Sequence, residues 1–131
     1  DIFMKKIDDY YFTENHEWIC MEDGKARVGI TDLAQKEWGD IVFVELPEIG
    51  EDYNQFEEIA VIESVKAVSD VFVPASGVIS DINRELIDHP EMINEKPDQS
   101  GWIAQIEIED KSELKNLMTK VDYLEFIEEE G

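Results

Sequence analysis

The sequence predicts a mainly β domain, built as a small sandwich or barrel with short helices at its edges. Short β-like runs follow one another closely along the 131 residues, and turn residues separate them. Hydrophobic residues make up 43% of the chain, which is typical of a globular protein and not of a disordered acidic tail. We predict one domain over residues 1–131, with core strands over about 16–109 and C-terminal helices over about 112–128.

The first predicted strands form a hairpin, because Asp23-Gly24 separates EWICME from KARVGI and such a pair favours a tight turn. The stretch TDLAQKEWG predicts one short helix, with Thr31 as N-cap and Gly39 as its end. Four further strands are predicted by DIVFVELP, which Pro47 ends, and by EEIAVIES, VSDVFVP and GVISDIN.

The segment RELIDHPEMINEKPDQSG predicts turns and at most one helical turn, because Pro90 and Pro97 interrupt it. WIAQIEIED then alternates apolar and polar residues, which predicts a last strand with one face in water. The C-terminal end has helical periodicity, and Ser112 is its predicted N-cap. The predicted apolar stripe, which we expect to dock on the domain's own core, consists of Leu114, Leu117, Met118, Val121, Leu124 and Ile127.

The charge of the chain restricts its partners. With 11 basic and 33 acidic residues the net charge is −22, which argues against a nucleic acid or an anionic membrane as partner. No apolar run approaches the length of a membrane span, and the opening residues lack the pattern of a secretory signal. Cys20 is the single cysteine, so no internal disulfide forms, and a reducing compartment is expected. We expect a monomer.

Lys66 is the residue that the sequence singles out. It lies at the joint of two predicted strands, between the small uncharged residues Val65 and Ala67, and no other lysine occurs between Lys36 and Lys96. An ordinary surface lysine is the alternative. A Schiff-base lysine would need burial to lower its pKa, so an exposed hairpin tip among acids favours an attachment point for a prosthetic arm.

Other chemistry is not indicated by the sequence. His16 and His89 have no ligand cluster beside them, and no Ser/His/Asp or Cys/His arrangement is apparent. We therefore expect a non-catalytic protein, in which His16 is structural and Cys20 and Trp102 belong to the core.

The motifs around Lys66 resemble the glycine cleavage system H protein family. ESVKAVSD is similar to the lipoyl-lysine motif of that family, and HEW, VGITDLAQ, GDIVFVELPEIG, VPASGVISDIN and NEKPDQSGW occur in the family's order over nearly the whole chain. The resemblance implies a lipoyl-type barrel-sandwich hybrid with flanking helices. It also implies that Lys66 carries lipoic acid in amide linkage.

The resemblance further implies a carrier within a multienzyme system. The arm would accept an aminomethyl group from a pyridoxal-phosphate glycine decarboxylase and deliver it to a tetrahydrofolate-dependent aminomethyltransferase. Dihydrolipoamide dehydrogenase would then reoxidise the dithiol. A lipoate-attaching enzyme would read Glu63, unless Glu63 only solvates the hairpin. The compartment would be the cytoplasm of a bacterium or the mitochondrial matrix of a eukaryote, with the cytoplasm favoured.

In the family the arm folds back on the carrier, and the matching residues here are Asn15, Glu17 and Asp70. Their side chains would hold a cationic cargo by charge-assisted hydrogen bonds, and solvated surface acids are the alternative. Phe56 and Ala60 replace glycines usual in the family, so we expect a rebuilt turn before the lysine strand. The two replaced glycines and the net charge of −22 leave a second function open. In it the protein is an accessory carrier that relays lipoate to other enzymes or serves a redox response.

Overall fold

The structure is a computed structural model that describes residues 10–22 and 25–130, and its strands form two antiparallel sheets. The larger sheet has, in spatial order, β1 (Tyr10–Phe12), β2 (Glu17–Glu22), β3 (Lys25–Ile30), β9 (Ala104–Ile108), β8 (Gly77–Ile82) and β5 (Asp52–Tyr53). The smaller sheet has β4 (Ile41–Glu45), β6 (Glu58–Ser64) and β7 (Val68–Phe72). The mainly β architecture with facing sheets is therefore confirmed.

The main core lies between the two sheets. Each strand turns alternate side chains inward, so Ile19 and Val28 of the larger sheet pack in one buried cluster with Ile62 and Val71 of the smaller. The hairpin of β2 and β3 is confirmed by the pairing of Glu22 with Lys25, although the predicted turn at Asp23-Gly24 lies outside the described residues.

Four α-helices flank the sheets within residues 10–22 and 25–130. They are α1 (Asp32–Trp38), α2 (Glu85–Asp88), α3 (Met92–Glu95) and α4 (Lys120–Glu130). As predicted, Thr31 caps α1, because its hydroxyl accepts a hydrogen bond from the Ala34 amide at 3.3 Å. Gly39 ends the helix with φ at 79°, a left-handed conformation that glycine adopts without strain. No helix among residues 10–22 and 25–130 has the length and apolarity to span a membrane.

A second apolar cluster covers the outer face of β1 and β2. Phe12, Trp18 and Cys20 are buried there beneath Tyr123 of α4, and the rings of Phe12 and Tyr123 stack with centroids 4.7 Å apart. Because β2 is covered on both faces, its residues from Glu17 to Cys20 are all buried. Cys20 is a core residue as predicted.

The prediction for the C-terminal end is wrong in its details. Asp110, not Ser112, caps a 3₁₀ helix over Lys111–Asn116, and α4 begins only at Lys120. The periodic stripe is interrupted because the backbone of Met118 pairs with that of Phe12 through two hydrogen bonds of 2.8 Å. Val121 and Leu124 are consequently exposed, and the buried residue of α4 is Tyr123. The other four residues of the predicted stripe pack against the two apolar clusters, so their docking on the core is confirmed.

Three smaller expectations also differ from the structure. β1 precedes the predicted start of the strands at about residue 16, because Tyr10–Phe12 pairs with β2 at the edge of the sheet. The proline-interrupted segment forms two helical turns, α2 and α3, where at most one was expected. Trp102 is half-buried, with the guanidinium of Arg27 lying 4.4 Å from its ring centroid.

Candidate functional site

Lys66 lies at the tip of the hairpin that joins β6 to β7, and its side chain is exposed. The Ser64 hydroxyl oxygen accepts hydrogen bonds from the amides of Lys66 and Ala67, at 3.3 and 3.1 Å, and the Ser64 amide donates to the Ala67 carbonyl at 2.8 Å. These bonds set the backbone of the turn while the lysine side chain remains accessible. In the part of the chain that the structure describes, no ion pair joins the Lys66 amine to a carboxylate.

The loop after α1 supports the lysine hairpin. The Asp40 carbonyl accepts a hydrogen bond from the Val65 amide at 3.0 Å. Asn94 of α3 holds this loop, because its side chain donates to the Gly39 carbonyl at 2.9 Å and accepts from the Ile41 amide at 2.9 Å. A β-carbon placed on Gly39 would lie 3.6 Å from Lys66 Cε, so the lysine stem runs directly past this glycine.

Glu17 is buried, with 1% of its surface exposed, so the surface-acid alternative is wrong for this residue. Its side chain points between the two sheets, as that of Ile19 does two positions further along β2. It reaches β7, which is an edge strand of the smaller sheet. One carboxyl oxygen accepts from the Phe72 amide at 3.0 Å, and the other accepts from the Thr13 hydroxyl. Burial raises the pKa of Glu17 to about 7, although these two hydrogen bonds lower it in part.

Thr13 connects Glu17 to Asn15. Its hydroxyl oxygen accepts from the backbone amides of Asn15 and Glu17, at 3.2 and 3.1 Å, in the turn between β1 and β2. Asn15 itself is exposed, and with Thr13 and Phe56 it lines a cavity of about 340 Å³. Neither Glu17 nor Asp70 lines this cavity.

The structure therefore brings the predicted cleft residues together only in part. Asp70 lies on β7 two positions before Phe72, or about 7 Å along the strand, so Glu17 meets the strand of Asp70 near that residue. The Asp70 side chain, however, is exposed and contacts Glu58, and the charge of Asp70 raises the pKa of Glu58. Glu63 is half-buried on β6, directly opposite Val68.

Phe56 adopts the positive φ that was expected to be too costly for it. Its φ is 69°, so a phenylalanine occupies a left-handed backbone conformation that glycine adopts more readily. The Phe56 amide donates to the Val73 carbonyl at 2.7 Å, and the Val73 amide donates to the Glu57 carbonyl at 2.8 Å. This pair of bonds holds the conformation against its steric cost, and the Phe56 ring remains 45% exposed.

His16 has a structural environment, as predicted. Its Nδ1 lies 2.9 Å from the Tyr123 hydroxyl, which also lies 2.8 Å from the Thr31 hydroxyl. Its Nε2 lies 3.4 Å from a Glu130 carboxyl oxygen. His16 therefore connects the turn after β1 to α1 and α4. Among the described residues, no group of three or more His, Cys, Asp and Glu side chains is arranged to hold a metal ion.

Two residues of this region were not predicted from the sequence. Ser64 and Thr13 each accept backbone amides of a tight turn next to a candidate residue, Lys66 in one case and Glu17 in the other. A hydroxyl residue two positions before a turn residue is the usual signal of such a motif. That signal is present in both stretches of the sequence and identifies these positions.

Comparison with known proteins agrees with this geometry. Residues 10–130 match the family model described as glycine cleavage H-protein. The glycine cleavage system H protein of Halothermothrix orenii is 49% identical over 96% of this chain and 98% of its own length, and that of Bacillus velezensis is 45% identical over 97% and 100%.

A crystal structure of a glycine cleavage system H protein from Mycobacterium marinum superimposes with a TM-score of 0.81 at 36% identity. The match covers 90% of this chain and 95% of that one. The chain belongs to the glycine cleavage H-protein family.

Proposed function

We propose that this protein is the lipoyl carrier of a glycine cleavage system, with Lys66 as the point of attachment. The observation that supports this most directly is the display of Lys66 on a hairpin tip whose backbone is held by Ser64 and by the loop at Asp40. An exposed amine that has no ion pair among the described residues can displace the leaving group of an activated carboxylic acid, which forms an amide and removes the charge of the amine. The residues at this tip therefore suit a covalently attached lipoyl group.

A lipoyl group on Lys66 would supply a dithiolane that takes up an aminomethyl group at glycine decarboxylase, releases it at the aminomethyltransferase and is reoxidised by dihydrolipoamide dehydrogenase. The protein's own contribution is positional. Gly39 passes beside the lysine stem in a left-handed conformation, and Asn94 holds the loop that supports the hairpin. We infer that catalysis belongs to the partner enzymes and that this subunit is a carrier. The bacterial relatives favour the cytoplasm as its compartment.

We further propose that Glu17 and Asp70 receive a cationic cargo, with Asn15 at the margin of the cleft. With a pKa of about 7, Glu17 is close to half ionised at neutral pH, so a nearby ammonium would favour its carboxylate form. Its two oxygens already accept bonds from Thr13 and Phe72, which hold the carboxyl group in place. Further lone pairs remain for a charge-assisted bond to the cargo.

The attachment site is tested by intact mass after co-expression with a lipoate-attaching enzyme. Wild type and Lys111→Arg should both gain the mass of one lipoyl group, because Lys111 lies on the exposed 3₁₀ helix far from the hairpin in sequence. Lys66→Arg keeps the charge and the exposure but cannot form the amide, so it should gain nothing. A wild-type protein that stays unmodified would overturn the carrier proposal.

The accessory-carrier alternative is separated by a second assay. The lipoylated protein is mixed with glycine decarboxylase, and exchange of labelled carbon dioxide into glycine is followed. Exchange is expected, partly because Phe56 adopts a left-handed conformation, the one that a glycine would favour at this position. Absence of exchange with fully lipoylated protein would favour a lipoate relay.

The cargo role of Glu17 has its own test. Glu17→Ala should leave lipoylation unchanged and should speed ammonia release from the protein after it has been charged by glycine decarboxylase. Equal ammonia release from mutant and wild type would count against the role. Asp70→Asn keeps the size of the side chain and removes the charge of the second proposed cargo residue on β7, so it should also speed ammonia release.

A further inference from the structure

Four apolar side chains near the lysine hairpin are left exposed by the residues that the structure describes. Val42 and Phe43 of β4 are 55% and 50% exposed, and Val65 and Val68, which flank Lys66, are 65% and 67% exposed. We call these four residues the tip patch. Large apolar side chains gathered at one place on a strongly charged surface indicate an interaction site.

The exposure of the tip patch follows from the register of the smaller sheet. Phe43, Glu63 and Val68 are direct cross-strand neighbours in one outward row, whereas the next row, Val44 with Ile62, faces the core. A bulge between Ile41 and Phe43 adds a residue to β4, so Val42 and Phe43 are exposed in succession. Strand spacing places Phe43 and Val68 about 10 Å apart, with Glu63 between them.

The tip patch is bordered by acids. Glu63 lies within its row, and the next outward row contains Glu45 and Asp70, with Glu58 in contact with Asp70. The strands β4, β6 and β7 contain no lysine or arginine, so Lys66 is the cation of this hairpin. A partner that fits must therefore present an apolar recess bordered by basic side chains. The same acids disfavour an anionic membrane or a second copy of this chain.

The length of the lysine side chain indicates which enzyme has to contact the tip patch. An unmodified lysine has only a four-carbon stem, so an enzyme that acts on its amine must cover the residues directly beside it. Enzymes that act on an attached arm have the additional reach of the arm and need not cover the hairpin tip. The residues beside Lys66 are those of the tip patch.

We propose that the tip patch, together with Glu63, is the docking surface for the lipoate-attaching enzyme, which contributes an apolar recess with a basic border. This rests on the proposed role of Lys66. Phe43 and Val68 supply the apolar contacts and Glu63 lies between them. The basic border of the partner pairs with the acidic row behind them. Val65 directly precedes Lys66 and would contact the partner at the entrance of its active site.

The test compares lipoylation kinetics of Phe43→Thr, Val68→Thr and the double variant with wild type. Threonine keeps strand propensity and approximate size at position 68, and both residues are exposed, so folding should be unaffected in urea unfolding. Val121→Thr is the control, because Val121 is 66% exposed on α4 and outside the tip patch. Initial rates are followed by intact mass with a purified attaching enzyme.

Each tip-patch substitution should lower kcat/KM for lipoylation by about tenfold, mainly by raising KM, and the double variant should lose more. Added salt should raise KM for wild type, because it screens the acidic border. Val121→Thr should behave as wild type. If wild type is lipoylated and both tip-patch variants have the same kcat/KM as wild type, the docking inference is wrong and the role of Lys66 stands. If wild type is never lipoylated, the proposed role of Lys66 is wrong.

A second measurement identifies the partner. The variants are lipoylated fully with excess enzyme, and reduction of the arm by NADH, catalysed by dihydrolipoamide dehydrogenase in its reverse direction, is compared. Unchanged dehydrogenase kinetics together with slow lipoylation support the attaching enzyme as the occupant. Impaired dehydrogenase kinetics with normal lipoylation would assign the tip patch to that enzyme and overturn the inference.

Discussion

Replacing Glu17 by glutamine should change how the stability of this protein depends on pH. Glu17 has a pKa of about 7 in the folded protein, against its ordinary value of 4.5, because burial disfavours the carboxylate. Between these two pH values the folded state holds a proton that the unfolded state has released. The free energy of unfolding therefore falls as pH rises through this window, and the stabilisation is fully present only below pH 4.5.

The magnitude follows from the two pKa values. Since one pKa unit corresponds to about 1.36 kcal/mol, the complete effect is about 3 kcal/mol, and most of it falls between pH 5 and pH 8. Glutamine is neutral at every pH. Its oxygen can still accept from the Phe72 amide, but its NH₂ group meets the Thr13 oxygen, whose two lone pairs already accept from the amides of Asn15 and Glu17. This mismatch lowers the stability of Glu17→Gln by the same amount at every pH. Glu17→Gln should therefore lose this component of the pH dependence and gain in stability relative to wild type toward pH 8.

The assay is urea unfolding followed by tryptophan fluorescence at several values from pH 5 to pH 8. The difference between wild type and Glu17→Gln is the relevant quantity, because the other acids of this chain contribute equally to both. Glu125→Gln on the exposed side of α4 removes the same charge and should give curves parallel to wild type. Parallel curves for Glu17→Gln, or a Glu17 pKa near 4.5 from NMR titration of its carboxyl carbon, would refute the reasoning.

Three further predictions concern stability and are checked by urea unfolding at pH 8. Thr13→Val should lower the free energy of unfolding by about 2 kcal/mol, because two backbone amides and Glu17 lose their hydroxyl partner; an unchanged stability would contradict the network. Gly29→Ala should lower the free energy of unfolding by about 1–3 kcal/mol, because a β-carbon there would lie 2.7 Å from the Trp18 ring. A loss below about 0.5 kcal/mol, which is typical of an ordinary surface substitution, would show that the ring moves aside. Phe56→Gly should be about 1 kcal/mol more stable than Phe56→Ala, because both lose the ring and only alanine keeps a strained β-carbon at φ of 69°. The reverse order would place Phe56 outside the left-handed region.

Features with local causes were predictable from the sequence. Thr31 and Gly39 delimit α1 because capping and left-handed geometry depend on the residue itself. The β6–β7 hairpin and the display of Lys66 follow from two apolar runs with a polar joint. The apolar alternation of the strands also sufficed for a mainly β architecture of packed sheets.

Features with long-range causes were decided only by the tertiary structure. The pKa of Glu17 depends on a contact with Phe72, which lies on the other sheet and far along the chain, so no local pattern reveals its burial. The helical periodicity near Met118 is overridden because the backbone of Phe12 pairs with it. Phe56 keeps a costly conformation because Val73 holds both sides of its turn. Local preferences are worth tenths of a kcal/mol to about 1 kcal/mol per residue, and buried hydrogen bonds and packing between distant segments together exceed them.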